Sequence, residues 1–150
     1  MPGKDKLTGR QFSKLARQNF SEVLGPRGFS CEASKHCTFY RQVSDDVWHF
    51  VFPDRSRRLP QYDVRVFPLS PRLISDFDER FPDGVGVPPA LNAYLHSKTG
   101  IKPFDQEWFW CRTENGFLRD FNSKVRPTIE KHLDAYLDRF QTLADLEKKL

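Results

Sequence analysis

The chain opens with apolar positions spaced three and four residues apart. Phe12, Leu15, Ala16, Phe20, Val23 and Leu24 fall on one stripe of a helix. Thr8 and Gln11 stand where a capping box puts its hydroxyl and amide, each satisfying a backbone N–H that the first turn leaves without a partner. Gly25-Pro26 predicts the end, with Gly in the left-handed terminal position and Pro unable to continue the helix. The period then falls to two. Gly28-Phe29-Ser30-Cys31 and Thr38-Phe39-Tyr40-Arg41 flank a polar tip at Ala33-Ser34-Lys35-His36. Residues 47–52 follow a Ser44-Asp45-Asp46 turn whose carboxylates bond nearby backbone. Residues 62–67 alternate, with Tyr62, Val64 and Val66 on one face and Asp63 and Arg65 on the other. Four such runs joined by short polar links predict an antiparallel meander whose buried face the N-terminal helix covers.

Residues 68–102 are less regular. A short helix is expected over residues 73–80, a loop over 81–86, and a second helix opened by Pro88-Pro89 and carrying Leu91, Tyr94 and Leu95. Glu107-Trp108-Phe109-Trp110-Cys111 predicts a fifth strand. A final helix is expected from about Pro127 through Ile129, Leu133, Tyr136, Leu137 and Phe140, and Thr142 with Asp145 starts a terminal helix bearing Leu143 and Leu146. The expected fold class is α+β: a four- to five-stranded antiparallel meander with an N-terminal helix and C-terminal helices packed on it. One domain over residues 1–150 is expected, with residues 1–9 a flexible basic N-terminus.

At 150 residues and 38% hydrophobic content the chain can bury roughly 70% of its unfolded surface, so it needs no disulfide or metal staple. The mean hydropathy of −0.65 goes with no apolar run near the ~18 residues of a spanning helix. The first residues lack the apolar stretch of a secretory signal, which makes a cytoplasmic location the expectation. Cys31, Cys37 and Cys111 are an odd set, expected as free thiols. The net charge of +4 resides at the N-terminus: Lys4, Lys6, Arg10, Lys14 and Arg17 face only Asp5, and residues 19–150 balance. The one inner basic cluster is Arg55, Arg57 and Arg58 in the polar loop PDRSRRLP.

Candidate chemistry is sparse. Cys31, His36 and Cys37 lack the four ligands in paired short motifs that a structural zinc requires, so no metal is expected. Of His36, His49, His96 and His132, His49 sits on a strand between Trp48 and Phe50 and His132 beside the apolar Leu133, settings typical of structural histidines. Neither a GxSxG elbow nor a Cys-His nucleophile signature accompanies them. Asp76, Asp78 and Glu79 form an acidic turn, and Gly84-Val85-Gly86 lacks the further glycines and Lys-Ser/Thr of a phosphate loop. No cofactor and no enzymatic activity are expected. Aromatic residues are plentiful, 14 Phe, 4 Tyr and 3 Trp. Trp108 and Trp110 share one side of their strand and Trp48, Phe50 and Phe52 form another row, so one row left uncovered becomes a partner surface.

The order of these features (amphipathic helix, Gly28-Phe29, Phe39-Tyr40-Arg41, the strand over residues 62–67, Trp108 to Trp110, and a C-terminal helix ending near Leu146) resembles the bacterial family known as domain of unknown function 4304. The resemblance spans about Phe12 to Leu146 and rests on structural residues; it implies a fold and carries no catalytic residues. Small bacterial domains of this kind are similar to immunity proteins encoded beside a secreted toxin. The leading expectation is therefore a non-enzymatic protein-binding domain that blocks a cognate toxin, touching it through Trp108, Trp110, Arg55, Arg57 and Arg58, with Asp76, Asp78 and Glu79 as the acidic alternative. The alternative partner is nucleic acid, held by the basic N-terminus, Arg55 to Arg58 and strand aromatics acting as stacking platforms. A third class, a small hydrolase using His49 or Cys111, requires one of them to reach a cleft.

Overall fold

The first helix, α1 (Gly9–Leu24), forms behind the predicted cap: Thr8 Oγ1 accepts from the Gln11 N–H at 3.1 Å, and Gln11 Oε1 accepts from the Thr8 N–H at 2.9 Å. In this computed structural model, which describes residues 6–31, 37–73, 77–81 and 108–149, Phe12, Ala16, Phe20, Val23 and Leu24 all turn into the core. The end differs from expectation. Gly25 keeps a right-handed conformation (φ −53) and the chain runs on through a tighter turn, Gly25–Arg27, that accepts the fixed φ of Pro26. The left-handed residue is Gly28 at φ 86, whose N–H donates to the Gly25 carbonyl at 3.0 Å. The reason lies in Pro26. A residue before proline is disfavoured in helical conformation when it carries a Cβ, so Gly25 supplies a missing Cβ and Gly28 the positive φ.

The sheet has four strands, β1 (Phe39–Gln42), β2 (Trp48–Arg55), β3 (Gln61–Leu69) and β4 (Phe109–Trp110), ordered β1-β2-β3-β4 with every neighbour antiparallel. The predicted run from Gly28 to Cys31 reduces to one bridge between Ser30 and Tyr40. The Phe29 N–H returns to the Leu24 carbonyl at 3.2 Å and so closes the helix end instead of pairing with a strand. The predicted fifth strand becomes β4, whose Phe109 pairs with Tyr62 and whose Trp110 pairs with Gln61.

One face of the sheet carries Phe39, Val51, Tyr62, Val66 and Phe109 into the main core. Two helices cover it. Beside α1 lies α3, residues 114–137, capped by Thr113 Oγ1 accepting from the Gly116 N–H at 3.0 Å. Its α turns, Glu114–Asp120, Arg126–Thr128 and Asp134–Leu137, alternate with wider π turns, Phe121–Val125 and Ile129–Leu133. The expected start at Pro127 is corrected to Glu114. Pro inside a helix normally meets the carbonyl one turn back at a cost of about 3 kcal/mol. Here a π turn precedes it, with the Arg126 N–H reaching the Phe121 carbonyl, and the altered turn accommodates the ring. Rings then lock α1, α3 and the sheet together: Phe20 meets Phe121 edge-on at 4.9 Å, and Tyr62 touches both Phe12 at 5.2 Å and Phe117 at 5.5 Å.

The opposite face holds a smaller core. Phe50 stacks on Phe67 at 5.2 Å, and α2 (Phe77–Arg80) closes over them with Phe77 while Phe81 packs on Tyr40 at 4.6 Å. Among the described residues, this cluster lies at the end of the sheet that contains Trp48 and Leu69. A terminal helix, α4 (Leu143–Lys149), follows the predicted Thr142–Asp145 cap: Asp145 Oδ2 accepts from the Gln141 and Thr142 N–H groups at 3.0 and 3.1 Å. The tip at residues 33–36, the loop over 82–86, the helix expected from Pro88 through Leu95, and Asp76 lie outside the described residues. Among the described residues, no helix is long and apolar enough to cross a membrane.

A Cβ at Gly28 meets nothing within 4 Å, so the cost of Gly28→Ala is conformational alone. Chemical denaturation should show a loss of about 1–2 kcal/mol, the penalty of a left-handed residue with a side chain. Gly28→Asn should lose less.

Candidate functional site

The β2–β3 turn projects its charges by a local hydroxyl bond. Ser56 Oγ accepts from the Arg58 and Leu59 N–H groups at 3.3 and 3.2 Å, which leaves Arg57, Arg58 and Leu59 pointing to solvent. β4 is tied to the same turn, the Cys111 N–H donating to the Pro60 carbonyl at 2.9 Å. It is tied on its other side to α3, where the nearly buried carboxylate of Asp120 accepts from the Trp110 N–H at 2.9 Å. Phe109 enters the core, and alternation along a strand sends its neighbours to the opposite face of the sheet. Trp108 is 41% exposed, Trp110 52% and Leu59 55%. Three of the four exposed large apolar side chains among the described residues thus gather at one corner, flanked by two arginines.

The same sheet face continues into a charged strip. Arg65 bridges Asp54 at 3.1 Å and Asp63 at 3.6 Å, and the two carboxylates lie opposite each other in register. Burial pushes the Asp63 carboxyl up to about 6, Arg65 opposing the shift and Asp54 adding to it.

The structure sorts the expected contact residues. Trp108, Trp110, Arg57 and Arg58 come together. Arg55 is engaged inside: its Nη2 donates to the Leu7 carbonyl at 3.0 Å, and the Leu7 N–H donates to the Arg112 carbonyl at 2.8 Å, so the guanidinium pins the start of the described chain. Asp78 and Glu79 are exposed on α2, at the far end of the sheet. Five strand steps separate Phe50 beneath α2 from Arg55 beside the corner, roughly 17 Å. Asp76 lies outside the described residues. Leu59 was not anticipated, although it is the one aliphatic side chain between the arginines and Pro60 in an otherwise polar loop. Asp120 was also missed; its signal is an acid one residue before an apolar helix position, Phe121.

His49 and Cys111 are both fully buried. His49 is held at each nitrogen: Arg41 Nε–H donates to Nδ1 at 3.1 Å, and Nε2–H donates to the Phe140 carbonyl at 2.7 Å. That pairing requires neutral imidazole. Burial depresses its pKa to about 4; the Phe140 carbonyl and Asp134 oppose this and the Arg41 charge adds to it. Burial pushes the Cys111 thiol up to about 11, against the pull of Arg55. Neither is placed to receive a proton from, or attack, a bound molecule. His132 is exposed and lines a groove of about 310 Å³ between α3 and Phe109 of β4, with Lys124, Lys131, Ser123 and Thr128. Both hydroxyls there donate to helix carbonyls, Ser123 to Arg119 at 2.6 Å and Thr128 to Lys124 at 2.8 Å, so neither is an activated nucleophile. His36 and His96 lie outside the described residues. Among the described residues no group of three or more potential metal ligands exists. The chain matches no family model, no curated protein and no solved structure.

Two predictions follow from these placements. Arg55→Ala should lower stability by about 1–3 kcal/mol, because it leaves a partly buried carbonyl without its charged donor, whereas Arg57→Ala and Arg58→Ala should stay within about 0.5 kcal/mol; urea titration of the three variants checks this. The second concerns pH. The unfolded chain protonates His49 near 6.5 and the folded chain only near 4, so between these values the unfolded state binds more protons. Stability should therefore decrease as the pH is lowered through that window, by up to about 1.4 kcal/mol per unit. Asp63 acts oppositely, since its folded carboxyl takes up a proton near 6 and the unfolded one near 3.8. Urea midpoints from neutral pH to about 4.5 should accordingly fall more steeply in Asp63→Asn and more gently in His49→Gln than in the parent chain.

Proposed function

We propose that this chain is a protein-binding domain without catalytic activity, and that it docks an acidic surface of its partner on the corner formed by Leu59, Trp108, Trp110, Arg57 and Arg58. The convergence of three exposed apolar side chains between two solvent-facing arginines carries the reading. Trp and Arg are the residue types that dominate binding hot spots, and an apolar centre with a charged rim is the usual anatomy of a protein interface. The paired arginines ask for carboxylates opposite them. A toxin domain with an acidic face, in an immunity-type pairing, is the partner that agrees with the sequence resemblance. A standard interface buries roughly 800 Å² on each side, so the corner acts as the anchor within a wider contact.

Nucleic acid fits this surface less well. That reading needs the basic N-terminal segment, the arginine loop and the tryptophans on one side. α1 packs against the sheet face opposite the tryptophans, and Arg55 is withdrawn into the fold. Copurification with the product of the neighbouring gene, followed by calorimetric titration, tests the proposal. Trp108→Ala with Trp110→Ala should weaken binding by about 30-fold or more, the 2 kcal/mol of a hot spot. Arg57→Ala with Arg58→Ala should slow association and flatten its salt dependence, and Asp78→Asn with Glu79→Gln should change neither. Undiminished affinity in the double tryptophan variant, or tight single-stranded RNA binding with a steep salt slope, overturns the proposal.

A further inference from the structure

Cys31 and Cys37 present their thiols to each other. The Sγ atoms stand 3.9 Å apart, in thiol–thiol hydrogen-bond contact, at the margin of the main core, with Cys37 almost fully buried and Cys31 partly buried. Their chain segments are held together just outside the pair, where Ser30 and Tyr40 exchange two backbone hydrogen bonds of 2.8 and 2.9 Å. A disulfide bond is about 2.05 Å long, so a modest approach of the two side chains closes it. We propose that Cys31 and Cys37 form a reversible dithiol–disulfide couple, a modification site that exchanges with low-molecular-weight disulfides of the glutathione type.

The exposures assign the roles. Cys31 is the thiol that an external disulfide can reach, and Cys37 is the resolving thiol behind it. The Cys31 thiolate attacks one sulfur of the small disulfide, whose S–S bond breaks and whose other half departs with the electron pair and gains a proton. The Cys37 thiolate then attacks Cys31 Sγ and expels the second half as a thiol. Two protein thiols are oxidised to one disulfide while one small disulfide is reduced to two thiols, so protons and electrons balance. Cys111 supplies an internal control, because it is fully buried and its thiol is held well above the usual range.

The reduced full-length chain is incubated with oxidised glutathione, quenched in acid, alkylated after unfolding and mapped by mass spectrometry. Two of the three alkylatable thiols should be lost, a peptide linked through Cys31 and Cys37 should appear, and Cys111 should remain alkylated. Cys37→Ser should trap glutathione on Cys31, and Cys31→Ser should reduce capture to the level of Cys111. Overturning results are three alkylatable thiols throughout, a glutathione adduct that persists on Cys31 of the parent chain, or oxidation of Cys111 at the same rate.

Discussion

The fold depends on how α3 keeps an apolar stripe straight. Phe117, Phe121, Val125, Ile129, Leu133 and Leu137 recur at every fourth position, and all are fully buried. A helix of 3.6 residues per turn carries each fourth residue about 40° beyond a full turn. Over five such steps the drift is about 200°, enough to bring Leu137 from the core side to the solvent side. The π turns at Phe121–Val125 and Ile129–Leu133 wind more residues into a turn and take back the drift. Their position also explains how Pro127 sits within the helix. The result is one continuous helical element reaching from Tyr62 near its start to the sheet end that holds Arg41 and His49.

That far end is closed by a polar node whose members leave little freedom. Arg41 lies over the Phe29 ring at 4.5 Å, donates to His49 and to the Arg27 carbonyl, and faces Asp134 at 3.4 Å, which Arg27 also bridges at 3.3 Å. The exposed carboxylate adds little as an ion pair on its own. The bonds that matter most are the two at the fully buried His49 ring, from Arg41 and to the Phe140 carbonyl, which would be costly to leave unmade; the part-buried bond to the Arg27 carbonyl adds to them. β1, β2, the turn after α1 and the end of α3 with the segment that follows it are thereby fixed to one another through one guanidinium and one neutral imidazole.

The sequence reveals those parts of the fold that follow local rules. The cap of α1, the cap of α4 and the alternation of β3 are visible because each places its signal within a few residues. What stays hidden depends on exceptions to those rules. A period of four matches neither the helical nor the strand template well, and Pro127 imitates a helix start, so the residue pattern carries no clear helix signal over residues 114–126. At the candidate site, the exposure of Trp108 and Trp110 could be posed as a question from their alternation with Phe109. The withdrawal of Arg55 could not, because its acceptor, the Leu7 carbonyl, lies far away in the chain. The approach of Cys31 to Cys37 likewise depends on a single bridge that the residue pattern does not distinguish from a longer strand.

Among the described residues, helices cover one sheet face and α2 part of the other, and three of the four exposed large apolar side chains lie at the corner beside the β2–β3 turn. β4 is only two residues long, yet it is held from three directions: by its pairing with Gln61 and Tyr62, by the Pro60 carbonyl, and by the Asp120 carboxylate of α3. Asp120 is itself set by the helix whose stripe the π turns straighten, so the orientation of Trp110 is inherited from the main core. A strand this short would otherwise fray, and ordering it on contact with a partner would subtract from affinity. Held in advance, the backbone at Trp110 loses little freedom when a surface covers it. Rigid aromatic anchors of that kind suit a lasting contact with one partner better than adaptable binding to many.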